Sequence, residues 1–315
     1  MEIRQAQEKD EKGIRELFYS SFRKEMSHEE WIWKYKQSPY GSVSYVAIDN
    51  KNIIAHYGGI KFSFYMKGRT LWAYQKCDVM THPGYRGKVF SKSPPIVQAG
   101  KMFYEENSMD FAFGFPSERH ARLQRLVLGG SDPERISVFN KDLQHTFKMK
   151  WRYKIEVGWD ALNSIDLYEL WNRCYESSSL SIVKNSSYIA WRYRKHPSRN
   201  YTPVVFRSKF FKKIEGLVIV KCNDNLMSVL DYFIPQKSIF KLFWNHLESF
   251  ALSLKATSIT TWANREESVS DFLIDLGFSI NEGIPYAVRI INHKEMVDTD
   301  FYSKYCYRMG DYDAS

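Results

Sequence analysis

Residues 77–92, Cys-Asp-Val-Met-Thr-His-Pro-Gly-Tyr-Arg-Gly-Lys-Val-Phe-Ser-Lys, constrain this chain more than any other stretch. A short apolar strand through Val79 and Met80 stops at Thr81-His82-Pro83 and opens into a basic, glycine-containing loop. A largely helical run follows as far as Asn107. Strand, basic loop and helix start, in that order, make an arrangement that holds phosphate. Backbone N–H groups converge, the helix dipole adds partial positive charge, and Arg86 and Lys88 supply full charges.

The flanking sequence reads as alternating elements of both types. Residues 2–6 form a short strand, and Asp10 is placed to cap a helix with apolar positions Ile14, Leu17, Phe18 and Phe22. Ser27-His-Glu-Glu30 is a capping box opening a second helix through Trp31, Ile32 and Tyr35, which Pro39-Tyr-Gly41 stops. Strands follow at 45–48, 53–66 (interrupted by Gly58-Gly59) and 69–81, with turns at 50–52 and Lys67-Gly68. Ser93 as N-cap with Pro94 in the first helical position starts the next helix. A strand at 110–116, a helix capped by Ser117 and ended by Gly129-Gly130, and a strand at 136–139 complete the first half.

This order and its residues resemble the GNAT acyltransferase superfamily. In that family a V-x-x-P-like strand end leads into an R/Q-x-x-G-x-G/A loop that takes the pyrophosphate of acetyl-CoA, and Val79 to Lys88 is similar to it. Val89 stands where the family has a further glycine, and valine resists φ > 0 and close approach of a phosphate. Phe-Gly-Phe-Pro-Ser-Glu-Arg-His (113–120) resembles the family's second motif, with Gln124 and Arg125 in the region where a tyrosine often supplies the general acid.

The second half echoes the first. Trp33-Lys-Tyr35 and Pro39 recur as Trp191-Arg-Tyr193 and Pro197, and Leu128-Gly129-Gly130 recurs as Leu276-Gly277-Phe278. A helix around 165–176, strands at 203–206, 216–222 and 227–235, a helix at 238–255, a strand at 258–262, a helix at 266–276 and a strand near 288 repeat the order. Residues 234–240, Ile-Pro-Gln-Lys-Ser-Ile-Phe, contain no glycine and little charge, so this copy lacks the phosphate loop. The expected fold is therefore mixed α/β (α+β). It comprises two GNAT-like domains, 1–148 with an acyl-CoA site and 149–315 degenerate, each with a mostly antiparallel sheet flanked by helices.

Composition agrees and narrows the class. The chain has 315 residues, about twice the common domain length of about 150. Its 44% hydrophobic and 16% aromatic content excludes a disordered chain. A formal charge of +9 suits a polyanionic partner: a CoA-type cofactor, a nucleotide-linked substrate, RNA or an anionic surface. Four scattered cysteines without a C-x-x-C pair, and a charged opening without a leader signature, lead us to expect a reducing cytoplasm and no zinc site. No apolar run reaches the ~18 residues of a membrane span.

The resemblance implies acetyl-CoA or another acyl-CoA as co-substrate and a small-molecule amine as acceptor. Pantetheine would lie between the splayed fourth and fifth strands. The donor-binding residues implied are Val79, Met80, Thr81, Arg86, Gly87, Lys88, Val89, Phe90, Ser91, Ser117 and His120. For proton transfer the nearest groups are Asp78, directly or through water, and His82, whose intrinsic pKa suits the task; Glu118 and Tyr104 are weaker choices. The tryptophans and tyrosines at 31, 33, 191 and 193 read as helix-packing residues. Two other readings stay open at this point: a Fem-type transferase using aminoacyl-tRNA, and a GNAT-shaped binding protein without catalysis.

Overall fold

The computed structural model describes residues 1–90, 94–144, 153–174, 179–210, 213–235, 237–292 and 296–312. The first half runs β1 (Glu2–Gln5), α1 (Glu11–Phe22), α2 (His28–Tyr35), β2 (Ser42–Asp49), β3 (Asn52–Met66) and β4 (Arg69–Thr81). A 3-10 turn (Pro83–Phe90), α3 (Pro95–Glu106), β5 (Phe111–Gly114), α4 (Glu118–Val127) and β6 (Glu134–Asp142) follow. The second half runs β7 (Tyr153–Val157), α5 (Ser164–Cys174), β8 (Ser181–Ile182), α6 (Ser186–Ile189) and a π-helical turn (Ala190–Arg194). It continues through β9 (Thr202–Ser208), β10 (Ile214–Asn223), β11 (Leu226–Phe233), α7 (Lys237–Ser253) and β12 (Ser258–Trp262). It ends with α8 (Ser268–Asp275), β13 (Ser279–Ile290) and α9 (Asp298–Lys304).

Local chemistry accounts for the first strands. Asn50 and Lys51, and then Lys67 and Gly68, take positive φ, which gives the tight turns that match strand twist. Ser27 and Glu30 close a reciprocal capping box on α2. That helix ends at Tyr35, short of Pro39. Asp10 occupies the N-cap of α1 without capping it. Its carboxylate instead accepts both Arg4 guanidinium donors at 2.6 and 2.8 Å, and a charged partner is the stronger of the two options. Pro94, expected inside α3, is its N-cap, and Pro95 opens the helix, where its missing N–H removes a group that would lack a partner anyway. Ser93 lies outside the described residues.

Gly58 and Gly59 do not interrupt β3. They let other atoms close on a continuous strand: a methyl group at Gly59 would sit 2.5 Å from the Phe103 ring, and one at Gly58 2.8 Å from the Cys77 carbonyl. The irregularity falls opposite, where Asp78 and Val79 of β4 face the single residue Tyr57 and form a bulge. Strand β5 stops at Gly114 rather than residue 116, and α8 opens at Ser268 rather than 266. Strands β7 and β8 and helix α9 have no counterpart in the sequence reading.

Among the described residues the strands form one mixed, mostly antiparallel sheet in the order β1-β2-β3-β4-β5-β13-β6-β12-β11-β10-β9-β7, with β8 on the end of β3. Its two parallel pairs, β4–β5 and β11–β12, occupy corresponding places in the two halves. The last strands are exchanged. From the second half β13 pairs with β5, and from the first half β6 pairs with β12. One core, including Trp33, Phe62, Phe113, Trp191, Leu217, Val288 and Tyr305, spans both halves on one face. The other face is covered by α3 in the first half and by α7 in the second. No helix among the described residues is long and apolar enough to cross a membrane.

Candidate active site

The site begins where two strands part. The ladder between β4 and β5 covers Ala73, Tyr74 and Gln75 against Phe111, Ala112 and Phe113, and stops there. Strand β4 continues to Thr81 while β5 ends at Gly114. Among the described residues the β5 ladder does not extend to residues 76–81 on that side, and backbone N–H and C=O groups hydrogen-bond wherever they can. A cleft of about 730 Å³ opens over this gap. Its walls are β4 (Lys76 to Val79), the β5–α4 connection (Gly114 to Ser117), α4 (His120, Gln124), the end of α1 with the following loop, and residues 196, 198 and 199 of the second half.

Asp78 lies in this wall with φ +46°, a left-handed conformation that aspartate tolerates better than most side chains. The bulge is held from behind. His56 Nδ1 lies 2.7 Å from the Asp78 carbonyl, and a carbonyl only accepts, so Nδ1 carries the proton. Burial lowers the His56 pKa, keeping the ring neutral. The Asp78 carboxylate receives Lys34 Nζ at 2.8 Å and the Tyr35 hydroxyl at 2.6 Å. Burial pushes this carboxyl up, but the Lys34 charge and the two hydrogen bonds outweigh it and hold it below the usual range. A carboxylate held this low is a weak base, so its strength here is in positioning Tyr35 and Lys34.

Of the other residues singled out in the sequence, Val79, Ser117 and His120 line the cleft with Asp78. Ser117 stands at the α4 N-cap without a side-chain capping bond. His120 Nε2 is buried without a hydrogen-bond partner among the described residues, and burial with the nearby Lys76 charge lowers its pKa to about 4. Met80 points into the small core under α1 with Ile14 and Leu17. Arg86 folds back to donate to the Thr81 carbonyl at 3.0 Å and the Ser21 carbonyl at 3.2 Å, pinning the turn to the mouth of β4. His82 is exposed beside that turn, accepts the Gly84 N–H at 3.2 Å, and is not part of the cleft wall. Glu118 pairs with Arg135, and Tyr104 bonds Tyr57 in the α3 core. The side chains of residues 87–90 and all of Ser91 lie outside the described residues.

Sequence reading missed Lys34, Tyr35, Lys76, Gln124, His196 and Arg199. Lys76 is the clearest of these. Its side chain is buried at 6% exposure, donates to Gln124 Oε1 at 2.6 Å, and is lowered to about 7 by burial and by Arg289. Nothing in the sequence separates it from an exposed strand lysine, since its burial depends on where β4 and β5 part. Arg199 lines the cleft with Nη1 buried and unpartnered among the described residues. Burial, then Arg192, Arg199, Lys221 and Lys34, drive His196 down to about 3, which marks this side as electropositive.

The family model described as acetyltransferase (GNAT) domain matches residues 2–123. That stretch is similar to a GNAT domain. It contains β4, the bulge, β5 and the start of α4, so the parted strands fall within the GNAT match. Three solved structures are similar over nearly the whole chain. A probable N-acyltransferase from Enterococcus faecalis has a TM-score of 0.70 at 13% identity, covering 96% of this chain and 75% of its own. A GCN5-related N-acetyltransferase from Anabaena variabilis has 0.67 at 12%, covering 92% and 73%. The N-myristoyltransferase of Saccharomyces cerevisiae, solved with bound myristoyl-CoA, has 0.59 at 11%, covering 92% and 82%. At these identities the likeness is one of fold. No curated protein matches the sequence.

Proposed function

We propose that this protein is an acyl-CoA-dependent N-acyltransferase with one working donor site, in the β4–β5 cleft of the GNAT domain. The observation that carries this reading is the stretch of β4 beyond the β5 ladder, which opens into the cleft. An extended pantetheine can pair with that stretch as a strand would. The 3-10 turn pinned by Arg86 stands at the mouth, where the anionic end of the donor would lie. Bound acyl-CoA supplies an activated thioester. The chain's own residues then hold the donor along residues 76–81, fix the bulge through His56, Asp78 and Tyr35, and present Lys34 to the cleft. The myristoyl-CoA-bound neighbour of the same fold supports this reading.

The second half, in the same reading, is a GNAT-like copy that has lost its donor site. Its parallel pair β11–β12 also stops early, and Asp231 lies just beyond. There the gap is occupied by the C-terminal segment: Arg308 forms two 2.8 Å bonds to Glu267 inside it. What this half contributes to the site is a wall. Arg199 and His196 face the cleft from it, and the Arg199 charge favours an anionic acceptor. An amine on a phosphate-bearing small molecule fits, and an amino-sugar nucleotide is the class to try first.

The test is thermal unfolding with acetyl-CoA, longer acyl-CoAs and tRNA, alongside thiol release with a panel of amines. A donor at 100 times its Kd stabilises the fold by about 2.7 kcal/mol. A shift with acyl-CoA, lost in Arg86→Ala, and thiol release dependent on an amine are expected. A response to tRNA alone, or to none of these, overturns the proposal.

A further inference from the structure

We propose that Lys76 and His120 form a carboxylate-binding site at the closed end of the cleft, selecting an acyl group that ends in a carboxylate. This rests on the donor site proposed above. Lys76 is the first residue of β4 beyond the β5 ladder, and Gly114 is the last residue of β5. A methyl group at Gly114 would lie 3.2 Å from the Lys76 carbonyl and 3.4 Å from its side-chain carbons, so the two residues meet at the apex of the gap. A donor entering at the Arg86 turn passes Asp78 before it reaches Lys76. Its acyl end is the part that arrives there.

What waits at the apex is positive and without an anion. Lys76 Nζ spends one donor on Gln124 Oε1. His120 Nε2, from α4, is buried in the same wall with no partner among the described residues. Arg289 of β13 lies close enough to lower the lysine further, and stacks on Tyr104 with its guanidinium 3.9 Å from the ring centre. On β4 itself the Asp78 carboxylate is taken by Lys34 and Tyr35. Among the described residues no carboxylate pairs with Lys76. A buried ammonium beside an unsatisfied imidazole nitrogen is costly unless something completes it, and a carboxylate of the ligand offers acceptor oxygens to the remaining Lys76 donors and to His120 Nε2 in the tautomer protonated there. A long aliphatic chain would instead end against a buried charge.

Butyryl-CoA and succinyl-CoA have the same chain length and differ in the terminal carboxylate. Calorimetric titration of the full chain with each, at pH 6 and pH 8.5, is the test. Succinyl-CoA is expected to bind at least tenfold more tightly at pH 6, and the preference shrinks at pH 8.5 as Lys76 loses its proton. Lys76→Met removes the preference, bringing the succinyl-CoA and butyryl-CoA affinities together at both pH values. Equal affinities in the wild type at pH 6 overturn the donor assignment. If the preference appears between an α-amino acid and its decarboxylated amine instead, the site stands and its ligand is the acceptor. If no CoA thioester binds, the donor reading fails. The site is then judged by the 15N-lysine titration of Lys76, whose midpoint rises with succinate if the site exists and stays put if it does not.

Discussion

Trp33 and Trp191, 158 positions apart, donate their indole N–H groups to each other's backbone carbonyls at 2.7 and 2.8 Å. Their rings stack 5.0 Å apart at 14°. Each belongs to one copy of the repeated Trp-x-Tyr sequence, and each following tyrosine reaches an aspartate of its own half: Tyr35 to Asp78 and Tyr193 to Asp231. The recurring sequence is therefore matched by recurring side-chain contacts, and the two halves of the chain meet through its tryptophans.

Trp33→Phe keeps most of the apolar area and removes one of the reciprocal bonds, leaving the Trp191 carbonyl buried and unpaired. We expect a loss of about 1–3 kcal/mol. Trp191→Phe should cost a similar amount, and the double variant less than the two together, because the pair acts as a unit. Urea midpoints of the three variants measure this.

Asp78 controls acid stability. Its folded pKa lies below the unfolded value of about 3.9, so its contribution is complete above that value and fades as pH falls through the folded one. Asp78→Asn removes this dependence below about pH 4 and withdraws the buried countercharge of Lys34, at a cost of about 3–5 kcal/mol. Unfolding midpoints at pH 3 and pH 6 for both proteins show whether the slope is lost.

Lys76 acts with the opposite sign. Its folded pKa of about 7 lies far below the unfolded value near 10.4. The unfolded chain holds more protons between those values, so stability rises with pH across that window and the penalty is fully present below it. Lys76→Met is expected to be more stable than the wild type at pH 6, by about 2 kcal/mol, a fraction of the roughly 1.4 kcal/mol per pKa unit involved. Thermal midpoints at pH 6 and pH 10 check it, the two proteins converging at the higher pH.

Gly59→Ala places a methyl group 2.5 and 2.8 Å from two atoms of the Phe103 ring. Phe103 is fully buried and has little room to move. Overpacking of this kind costs about 1–3 kcal/mol. A lowered denaturation midpoint without loss of secondary structure by circular dichroism is the expected result.

Much of this was legible because it is local. The bounds of β4 and β12, the capping box at Ser27 and the turns at residues 50–51 and 67–68 follow from propensity and turn chemistry within a few residues. The strand exchange did not announce itself, since β13 finds β5, and β6 finds β12, across more than a hundred residues, and any apolar strand suits a buried place in a sheet. Tyr35 reads only as a position of the second helix and Lys34 carries no signal of its own, because their partner Asp78 lies on another element. Lys76 looked like one more residue of a strand. Only the parting of β4 from β5 turns it toward a cleft.

The central claim is that the stretch of β4 beyond the β5 ladder binds an acyl-CoA. Amide hydrogen exchange, with and without saturating acetyl-CoA, reads that stretch directly. The account predicts slowed exchange in residues 76–81 and in the Arg86 turn, with the corresponding strand β11 unchanged. Slowing confined to β11 and β12, or no change in β4 while the ligand is bound, would contradict it.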